Sequence, residues 1–390
     1  MKQTNHLPRC ILALSWRDIQ FPTMGGAEIY THEMLKRVAA KGIEVVHFAP
    51  FCKNLKSDEI IDQVHYIRCG SLATVIFKAR SYYKKRQNEI DFVIDQCNTF
   101  RFFTKYWVKK SKRIFLIFQL TREIWDINMP FPFNKIGKIM ETPLLKMNRH
   151  DITVTESEST KKDLLEVGFQ KDKVKVIPVG LHEDILNIPL DMETEKKPIF
   201  IFVGRYSKYK GIDTTVKAFG IIKQKYPEAK LWIVGKKDES FIETVLKPVC
   251  EDYRLTLGDQ ENSDVVTWGF VSESMKNELQ SRAKALIFPS IREGWGMIIS
   301  EAGALGTPSI TYDAPGTRDA VDFGKAGYLC KENTTQAIVE CMESVLTEET
   351  RYESIRKSAW VFSNQLSFNR TGEEFLQLLS SLMQEKSNKH

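Results

Sequence analysis

The sequence of 390 residues lacks any apolar run near the roughly 20 residues that a membrane-spanning helix needs, and its apolar runs are fragments such as residues 114–118. It also lacks the long apolar segment and cleavage site of a secretory signal, because residues 1–6 run directly into a strand-like segment at 10–16. We therefore expect a protein that neither crosses a membrane nor is exported, and that acts in the cytoplasm or at the inner face of the cell membrane.

Patterns typical of metal sites and disulfide frameworks are missing as well. The seven cysteines are scattered, odd in number and contain no Cys-x-x-Cys pair, which predicts reduced thiols. The acidic residues form no Asp-x-Asp motif. The sequence therefore predicts no metal site.

The composition is that of a folded globular protein, with 42% apolar and 27% charged residues, and the length suggests two domains. The charge is uneven: residues 1–190 carry 30 basic and 21 acidic side chains, whereas residues 191–390 carry 26 and 29. Residues 71–113 alone hold eleven basic and three acidic side chains. The positive charge is thus concentrated in one segment of the first half.

Aromatic residues lie among these basic residues, and we expect two basic, amphipathic helical segments within 71–113. One interpretation is a solvated charged face whose aromatic rings pack inward. A second is peripheral contact with an anionic membrane, which such a surface suits. Nucleic acid is disfavoured as a partner because nothing resembles a nucleic-acid-binding module.

Short β-branched or aromatic runs alternate with helix-length segments, which predicts an α/β fold with parallel sheets. A charged segment between two prolines, residues 189–198, is a candidate linker between two such series. These patterns predict two Rossmann-like domains, at 1–190 and 191–365. A ligand is expected in a cleft between them, at the carboxyl ends of the strands.

The strongest local signal is the segment 289–302, in which a strand is followed by a turn with Gly294 and Gly296 and then by a helix. The amides of Gly296, Met297 and Ile298 would open this helix as an anion site. Glu293 and Glu301 would then accept hydroxyls of a sugar. A glycosidase acid–base pair is a poorer interpretation because a helix N-terminus favours ionised carboxylates, and Glu301 alone could serve as a structural cap.

Two further segments are candidate ligand-binding loops. Arg205, after Gly204 at a strand end, and Lys210 in the next turn could hold a diphosphate, although solvated surface lysines and arginines would give the same pattern. Gly25 and Gly26 lie in a glycine turn before the first long helix. That turn does not match Gly-x-Gly-x-x-Gly, which argues against a nicotinamide-dependent oxidoreductase.

Together these segments resemble the retaining GT-B glycosyltransferases of family four, and the likeness covers nearly the whole chain. The motifs are Glu-x7-Glu at Glu293 and Glu301, the block from Gly204 to Gly211, and the loop at residues 25–28. The resemblance implies the GT-B fold, with an acceptor-binding domain at 1–190, a nucleotide-sugar-binding domain at 191–365, and a last helix at about 366–390 that packs back on the first domain.

The resemblance also implies roles for single residues. Arg205 and Lys210 would bind the donor diphosphate, and Glu293, Arg205 and Lys210 would carry the catalysis. Glu293 would hold the donor sugar and Glu301 the ribose. The other donor-binding positions would be Gly25, Gly26, Gly204, Gly269, Phe270, Gly294, Gly296, Met297 and Ile298.

The sequence departs from the family at one position. Many members carry a histidine there, near the end of a central strand. Phe118 occupies that place here, so Gln119 or Arg122 would supply the polar contact on the acceptor side, unless backbone groups alone form that wall.

The predicted activity is transfer of a hexosyl unit, with retention, from a nucleotide-diphosphate sugar to a saccharide or lipid-linked acceptor in cell-surface polysaccharide biosynthesis. The family's front-face chemistry uses the leaving phosphate as base, so no protein base is expected. Neither a metal nor a cofactor is expected, because Arg205 and Lys210 would replace a divalent ion. The alternative is a catalytically silent GT-B accessory protein that binds a nucleotide sugar or a partner glycosyltransferase, an interpretation that rests on the missing histidine.

Overall fold

The computed structural model describes residues 7–192 and 196–388. The predictions for residues 1–6, for 193–195 in the proposed linker and for 389–390 lie outside the described residues. The described chain forms two compact units. The first holds the residues up to Arg122, then Pro132–Gly180 and those from Ser367 onward, and the second holds Glu123–Phe131 and Leu181–Leu366.

The first unit is built on a mainly parallel sheet. Its strands are β1 Cys10–Leu14, β2 Glu44–Ala49, β3 Asp58–Ile61, β4 Val64–Arg68, β5 Phe92–Cys97, β6 Arg113–Ile117, β7 Ile152–Thr155 and β8 Val174–Val176. Within the described residues their order is β3-β4-β2-β1-β5-β6-β7-β8, and β3 runs antiparallel to β4. The inner strands β1 and β5 are buried along their whole length, as expected for strands covered on both faces.

The second unit contains a parallel sheet. Its strands are β9 Ile199–Val203, β10 Lys230–Val234, β11 Leu257–Gly258, β12 Val265–Gly269, β13 Ala285–Phe288, β14 Ser309–Thr311 and β15 Tyr328–Leu329. Their order in the described residues is β11-β12-β10-β9-β13-β14-β15. The strands β12, β10, β9 and β13 are therefore neighbours, and their carboxyl ends meet at one edge of this sheet.

Helices connect the strands in both units. They are α1 Gly26–Ala39, α2 Val75–Arg86, α3 Ile124–Asn128, α4 Phe133–Lys146, α5 Glu158–Val167, α6 Ile212–Lys225, α7 Glu239–Phe241, α8 Lys247–Asp252, α9 Glu273–Arg282, α10 Met297–Ala304, α11 Thr317–Ala320, α12 Thr335–Thr347, α13 Glu349–Ser363 and α14 Phe368–Ser387. Among the described residues, none of these helices combines the length and apolarity needed to span a membrane.

The chain passes into the second unit earlier than the sequence suggested. The boundary was placed at residue 190, but the residues from Leu181 onward bond within the second unit: the Leu181 amide donates to the Leu366 carbonyl at 3.0 Å. Lys196, within the proposed linker, is also held in the second unit, because its Nζ donates to Gly306 O at 2.8 Å and to Thr307 Oγ1 at 2.6 Å.

The C-terminal helix α14 belongs to the first unit. Thr371 Oγ1 donates to Pro178 O at 2.9 Å, and Lys386 Nζ donates to Asp91 O at 3.0 Å. Gly372 lies so close to Arg37 on α1 that a Cβ there would be 2.7 Å from the Arg37 Cβ. The absence of a side chain at this position allows α14 to pack against α1.

The basic segment 71–113 differs from the expected pair of helices. Its first half contains α2, but its second half contains β5 followed by two 3-10 turns, Thr104–Tyr106 and Lys110–Lys112. Helix is prevented there because the buried Asp95 carboxylate accepts the amides of Phe102 and Thr104, and Phe103 has a left-handed backbone with φ of 52°. Of the aromatic residues, Tyr83 and Phe102 are buried, whereas Phe77 and Tyr106 are exposed.

Candidate functional site

Lys210 and Glu293 form an ion pair at the edge where β9 and β13 end. Lys210 lies in a 3-10 turn, Lys208–Lys210, after β9, and Glu293 follows β13, the next strand in the sheet. Lys210 Nζ lies 2.5 Å from Glu293 Oε1, and the buried Ser290 Oγ donates to the same oxygen at 2.5 Å. Adjacent parallel strands thus bring together two residues that the sequence had assigned to donor binding.

The backbone around this pair is tightly fixed. The Glu293 amide donates to Pro315 O at 2.9 Å, and Gly316 has φ of 83°. A Cβ on Gly316 would lie 2.3 Å from the Glu293 carbonyl oxygen, so only glycine fits there. Gly211, with φ of 74°, ends the Lys210 turn, and a Cβ there would lie 2.6 Å from Pro289 O.

The Lys210 ammonium has aromatic as well as anionic neighbours. Its Nζ lies 5.1 Å from the centre of the Tyr209 ring and 5.2 Å from that of Phe288. The side chains of Lys210 and Glu293 are 13% and 12% exposed, so their interaction is screened much less than that of a surface ion pair.

Arg205 is an exposed cation at the same edge. It follows Gly204, whose amide donates to Val234 O of the neighbouring β10 at 2.9 Å, so the backbone at this strand end is anchored. Among the described residues, no side-chain partner is found for the Arg205 guanidinium. A guanidinium held by an anchored strand end and available to solvent is suited to binding phosphate.

Helix α10 begins at this edge with a glycine in the left-handed region. Gly296 has φ of 93° and precedes Met297, the first residue of the helix. The amides of Met297 and Ile298 stand in the first turn, where N–H groups have no acceptor within the helix. Gly294 lies in the loop that joins Glu293 to this start, and Trp295 Nε1 fixes the loop by donating to Ser300 Oγ at 2.9 Å.

Glu301, one turn further along α10, is paired with a lysine that the sequence had not singled out. Lys276 Nζ on α9 lies 2.8 Å from Glu301 Oε2, and 2.5 Å from Glu273 Oε2. Burial alone would lower the pKa of Lys276, but the two carboxylates outweigh it and raise the pKa. No spacing pattern in the sequence relates residues 276 and 301, because the contact joins two different helices.

Gly269 ends β12 at the same edge, and Phe270 follows directly after the strand. The Gly269 carbonyl accepts the Gly235 amide at 2.9 Å, and Phe270 is 85% exposed. A Cβ on Gly269 would lie 3.5 Å from Lys237 Cε. An exposed aromatic ring offers a face on which a planar base can stack.

In the first unit, the loop of Gly25 and Gly26 is organised by a buried carboxylate. Glu28 Oε2 accepts the Gly25 amide at 2.7 Å, while Oε1 accepts Arg17 Nε and Asn98 Nδ2, both at 3.0 Å. Burial raises the pKa of Glu28. Glu28 belongs to the motif at residues 25–28, but the sequence did not indicate this role, which follows from its position three residues into α1.

The end of β6 carries the residues assigned to the acceptor side. Phe118 is buried, with its ring edge-on to Tyr30 at 5.4 Å, so it contributes to the core and offers little surface to a substrate. Gln119 Oε1 and Arg122 Nε are buried and have no hydrogen-bond partner among the described residues. Arg122 adopts φ of 41°, and its amide donates to Glu141 Oε2 at 2.9 Å.

Comparison with known protein families identifies both units. A model described as glycosyl transferases group 1 matches residues 191–360, and one described as glycosyltransferase family 4 matches residues 24–184. The chain belongs to the group 1 glycosyltransferases. Its two parallel-sheet units are those of the GT-B fold.

Relatives of this group 1 chain include bacterial glycosyltransferases. It is 29% identical over 249 residues to the capsular polysaccharide biosynthesis glycosyltransferase CapM of Staphylococcus aureus, covering 60% of this chain and 62% of CapM. It is 22% identical to the D-inositol 3-phosphate glycosyltransferase of Corynebacterium aurimucosum over 88% of each. The chain thus spans less than two thirds of CapM but most of the second relative.

Solved structures share the fold of the group 1 chain along its length. Sucrose-phosphate synthase from Thermosynechococcus elongatus matches 96% of this chain and 99% of its own, with a TM-score of 0.76 and 18% identity. HepE of Anabaena, solved in complex with UDP and glucose, matches 96% of this chain and its own full length, with a TM-score of 0.68 and 18% identity.

Proposed function

We propose that the protein is a glycosyltransferase that moves a hexosyl unit, with retention, from a nucleotide-diphosphate sugar to a saccharide or lipid-linked acceptor in cell-surface glycan biosynthesis. The main support for the proposal is the set of groups at one edge of the sheet in the second unit. There Arg205, the Lys210–Glu293 pair and the start of α10 lie on neighbouring strand ends. The relation to CapM, whose name includes capsular polysaccharide biosynthesis, supports the biosynthetic setting.

The chemistry of these groups fits a diphosphate and a sugar. Arg205, Lys210 and the first amides of α10 would bind the donor diphosphate and stabilise the charge that develops as the sugar–phosphate bond breaks. Glu293 would then exchange Lys210 for the hydroxyls of the donor sugar, and Glu301 would accept those of the ribose. The freed phosphate oxygen takes the proton of the acceptor hydroxyl, so no protein base is required.

Retention is proposed from the likeness to retaining members of family four. The anomeric configuration of the product tests it directly. An NMR spectrum that shows the same configuration as in the donor supports retention, and an inverted product contradicts it.

We further propose that catalysis needs neither a metal ion nor an organic cofactor. Arg205 and Lys210 supply positive charge where a divalent ion would otherwise bind the diphosphate. In residues 7–192 and 196–388, no three His, Cys, Asp or Glu side chains come together as a metal site. We expect transfer to proceed at an unchanged rate in EDTA, and a loss of activity that Mg²⁺ or Mn²⁺ restores would contradict the proposal.

We also propose that the protein works at the inner face of the cell membrane, in contact with anionic lipid. Helix α2 of the 71–113 segment exposes the ring of Phe77 as well as Lys78, Lys84 and Lys85. In the same unit, α4 exposes Ile136 and Ile139 together with Lys135. Apolar side chains with neighbouring lysines are typical of surfaces that bind anionic membranes.

The decisive experiment combines a donor panel with two variants. UDP-, GDP- and ADP-sugars are incubated with the protein, and donor hydrolysis or transfer is measured for the wild type, Lys210→Met and Glu293→Gln. We expect activity with one nucleotide class. In each variant the activity should fall about 100-fold or more, by analogy with the removal of one hydrogen bond that stabilises a transition state. Lys225→Met, which removes an exposed lysine paired with Glu343, is the control and should retain activity. Donor binding without any turnover would favour the accessory-protein alternative.

A further inference from the structure

Lys276 and Glu301 form an almost buried ion pair between two helices of the second unit. Their side chains are 15% and 14% exposed, and Lys276 Nζ lies 2.8 Å from Glu301 Oε2. The second partner of Lys276, Glu273, is 77% exposed and three residues away on the same helix. Of these two contacts of Lys276, the one with Glu301 joins α9 to α10.

A second contact lies one helical turn along α9. Gln280 is fully buried, and its Nε2 donates to the Ile298 carbonyl at 3.4 Å. Residues 276 and 280 lie on the same face of α9, as residues four apart on a helix do. This face thus contacts both the first turn of α10 and the Glu301 side chain beyond it.

The pairing leaves half of the Glu301 carboxylate available. Lys276 contacts Oε2, and among the described residues Oε1 of Glu301 has no hydrogen-bond partner. A nearly buried, ionised carboxylate oxygen is a strong acceptor for a hydroxyl group. Without the lysine, the same carboxylate would be buried unpaired, a costly arrangement that the side chain escapes by turning toward water or by taking up a proton.

We propose that Lys276 is a positioning residue for the donor: by holding Glu301 Oε2, it directs Oε1 at the ribose hydroxyls and sets the preference for ribonucleotide donors. This inference rests on the proposed function, in which Glu301 accepts the ribose hydroxyls. Lys276 itself touches no reacting atom.

A comparison of nucleotides with and without ribose hydroxyls tests the inference. Calorimetry gives the Kd of UDP, GDP and ADP, and then of the 2′,3′-dideoxy form of the nucleotide that binds best. We expect the wild type to bind the ribonucleotide at least about tenfold more tightly, as a hydrogen bond to a charged group allows. Lys276→Met should reduce this ratio to below about threefold while the Kd of the dideoxy form stays unchanged.

Two further variants separate positioning from a general structural effect. Lys276→Arg keeps a cation beside Glu301 and should retain most of the preference, whereas Glu301→Gln combined with Lys276→Met should lose no more than either change alone. Lys225→Met should bind both nucleotides as the wild type does. In steady-state assays, Lys276→Met should raise the donor KM and leave kcat nearly unchanged.

The possible outcomes distinguish a failure of the inference about Lys276 from a failure of the proposed function. If Lys276→Met prefers the ribonucleotide over the dideoxy form as strongly as the wild type does, the inference is wrong, but the proposed function is unaffected. Equal weakening of both nucleotide forms overturns the inference as well, because a merely structural lysine would act in that way. If the wild type binds none of the three nucleoside diphosphates, the proposed function fails, and the role of Lys276 fails with it.

Discussion

Lys210 Nζ and Glu293 Oε1, which are 83 positions apart in the sequence, lie 2.5 Å from each other. The cation proposed to bind phosphate and the carboxylate proposed to bind sugar thus neutralise each other. A bound diphosphate would have to attract Lys210 away from a nearby carboxylate, so part of the phosphate-binding energy is spent on separating this pair.

Glu293→Gln should therefore bind the nucleoside diphosphate alone more tightly than the wild type. The change removes both the competitor for Lys210 and a negative charge beside the phosphate, and we expect about a three- to tenfold lower Kd by calorimetry. The same variant should lose sugar transfer. Lys210→Met should weaken diphosphate binding and transfer together. An unchanged or higher Kd in Glu293→Gln would contradict the competition between carboxylate and phosphate.

Gly316→Ala should disturb Glu293 without touching any proposed ligand-binding side chain. The new Cβ would lie 2.3 Å from the Glu293 carbonyl oxygen, and alanine would also be strained at φ of 83°. Strain alone costs about 1–2 kcal/mol. We expect a larger loss of unfolding free energy than this, together with a clear fall in donor turnover.

Gly42→Ala is the matched control for Gly316→Ala. Gly42 has a nearly identical φ of 81°, and a Cβ there would meet no atom within 4 Å. It should therefore show the strain without the collision, and donor turnover should be unaffected. Equal stability and activity in the two variants would mean that Gly316 does not fix the position of Glu293.

His47 in β2 should make the protein less stable in mild acid. Burial lowers the pKa of His47 from 6.5 to about 4, with Asp18 opposing and His32 and Arg68 reinforcing the shift. Between pH 6.5 and 4 the unfolded chain binds a proton that the native imidazole does not. The free energy of unfolding should therefore fall as the pH falls through this range, by at most about 3 kcal/mol from this group.

The comparison with His47→Gln isolates this contribution from that of the carboxylates. His47 Nε2 lies 2.7 Å from Ser15 Oγ, and a glutamine amide can also hydrogen-bond to that hydroxyl. Urea denaturation at pH 4, 5, 6 and 7 gives the free energy of unfolding of both proteins. As the pH falls, this free energy should decrease more for the wild type than for the variant. If the unfolding free energies of the two proteins run parallel with pH, the pKa of His47 is the same in the native and unfolded states.

Much of the fold was predictable because buried parallel strands are short apolar runs. Residues 44–49 are one such short run and form β2, and the helix-length segment at residues 27–41 forms α1, Gly26–Ala39. The hairpin of β3 and β4 was missed. Its turn contains Asp62 and Gln63, both with positive φ, and lacks the glycine that usually marks such a turn.

The candidate site was predictable where its residues are close in sequence to glycine turns. The segments around Lys210 and Glu293 follow strand ends, and a parallel sheet brings such ends together. Lys276 and Ser290 were not predicted as site residues because their contacts depend on how neighbouring elements pack. The role of Gln119 and Arg122 stays a prediction.

The final prediction concerns membrane binding by the first unit. Sedimentation with anionic vesicles should recover the wild type, with less recovered in high salt because ions screen the lysines. Lys78→Gln combined with Lys84→Gln and Lys85→Gln should weaken binding at low salt. Ile136→Ser combined with Ile139→Ser should weaken it at both salt concentrations, because the apolar contact with lipid is not screened.

Ile60→Ser is the matched control for the apolar variant. Ile60 in β3 is 72% exposed, close to the 71% of Ile139, but it lies outside the basic segment and outside α4. Its replacement should leave vesicle binding unchanged. Equal recovery with neutral vesicles would remove the electrostatic part of the proposal, and unchanged binding of the α4 variant would remove the apolar part. If only the lysine variant loses binding, the 71–113 segment alone forms the membrane contact.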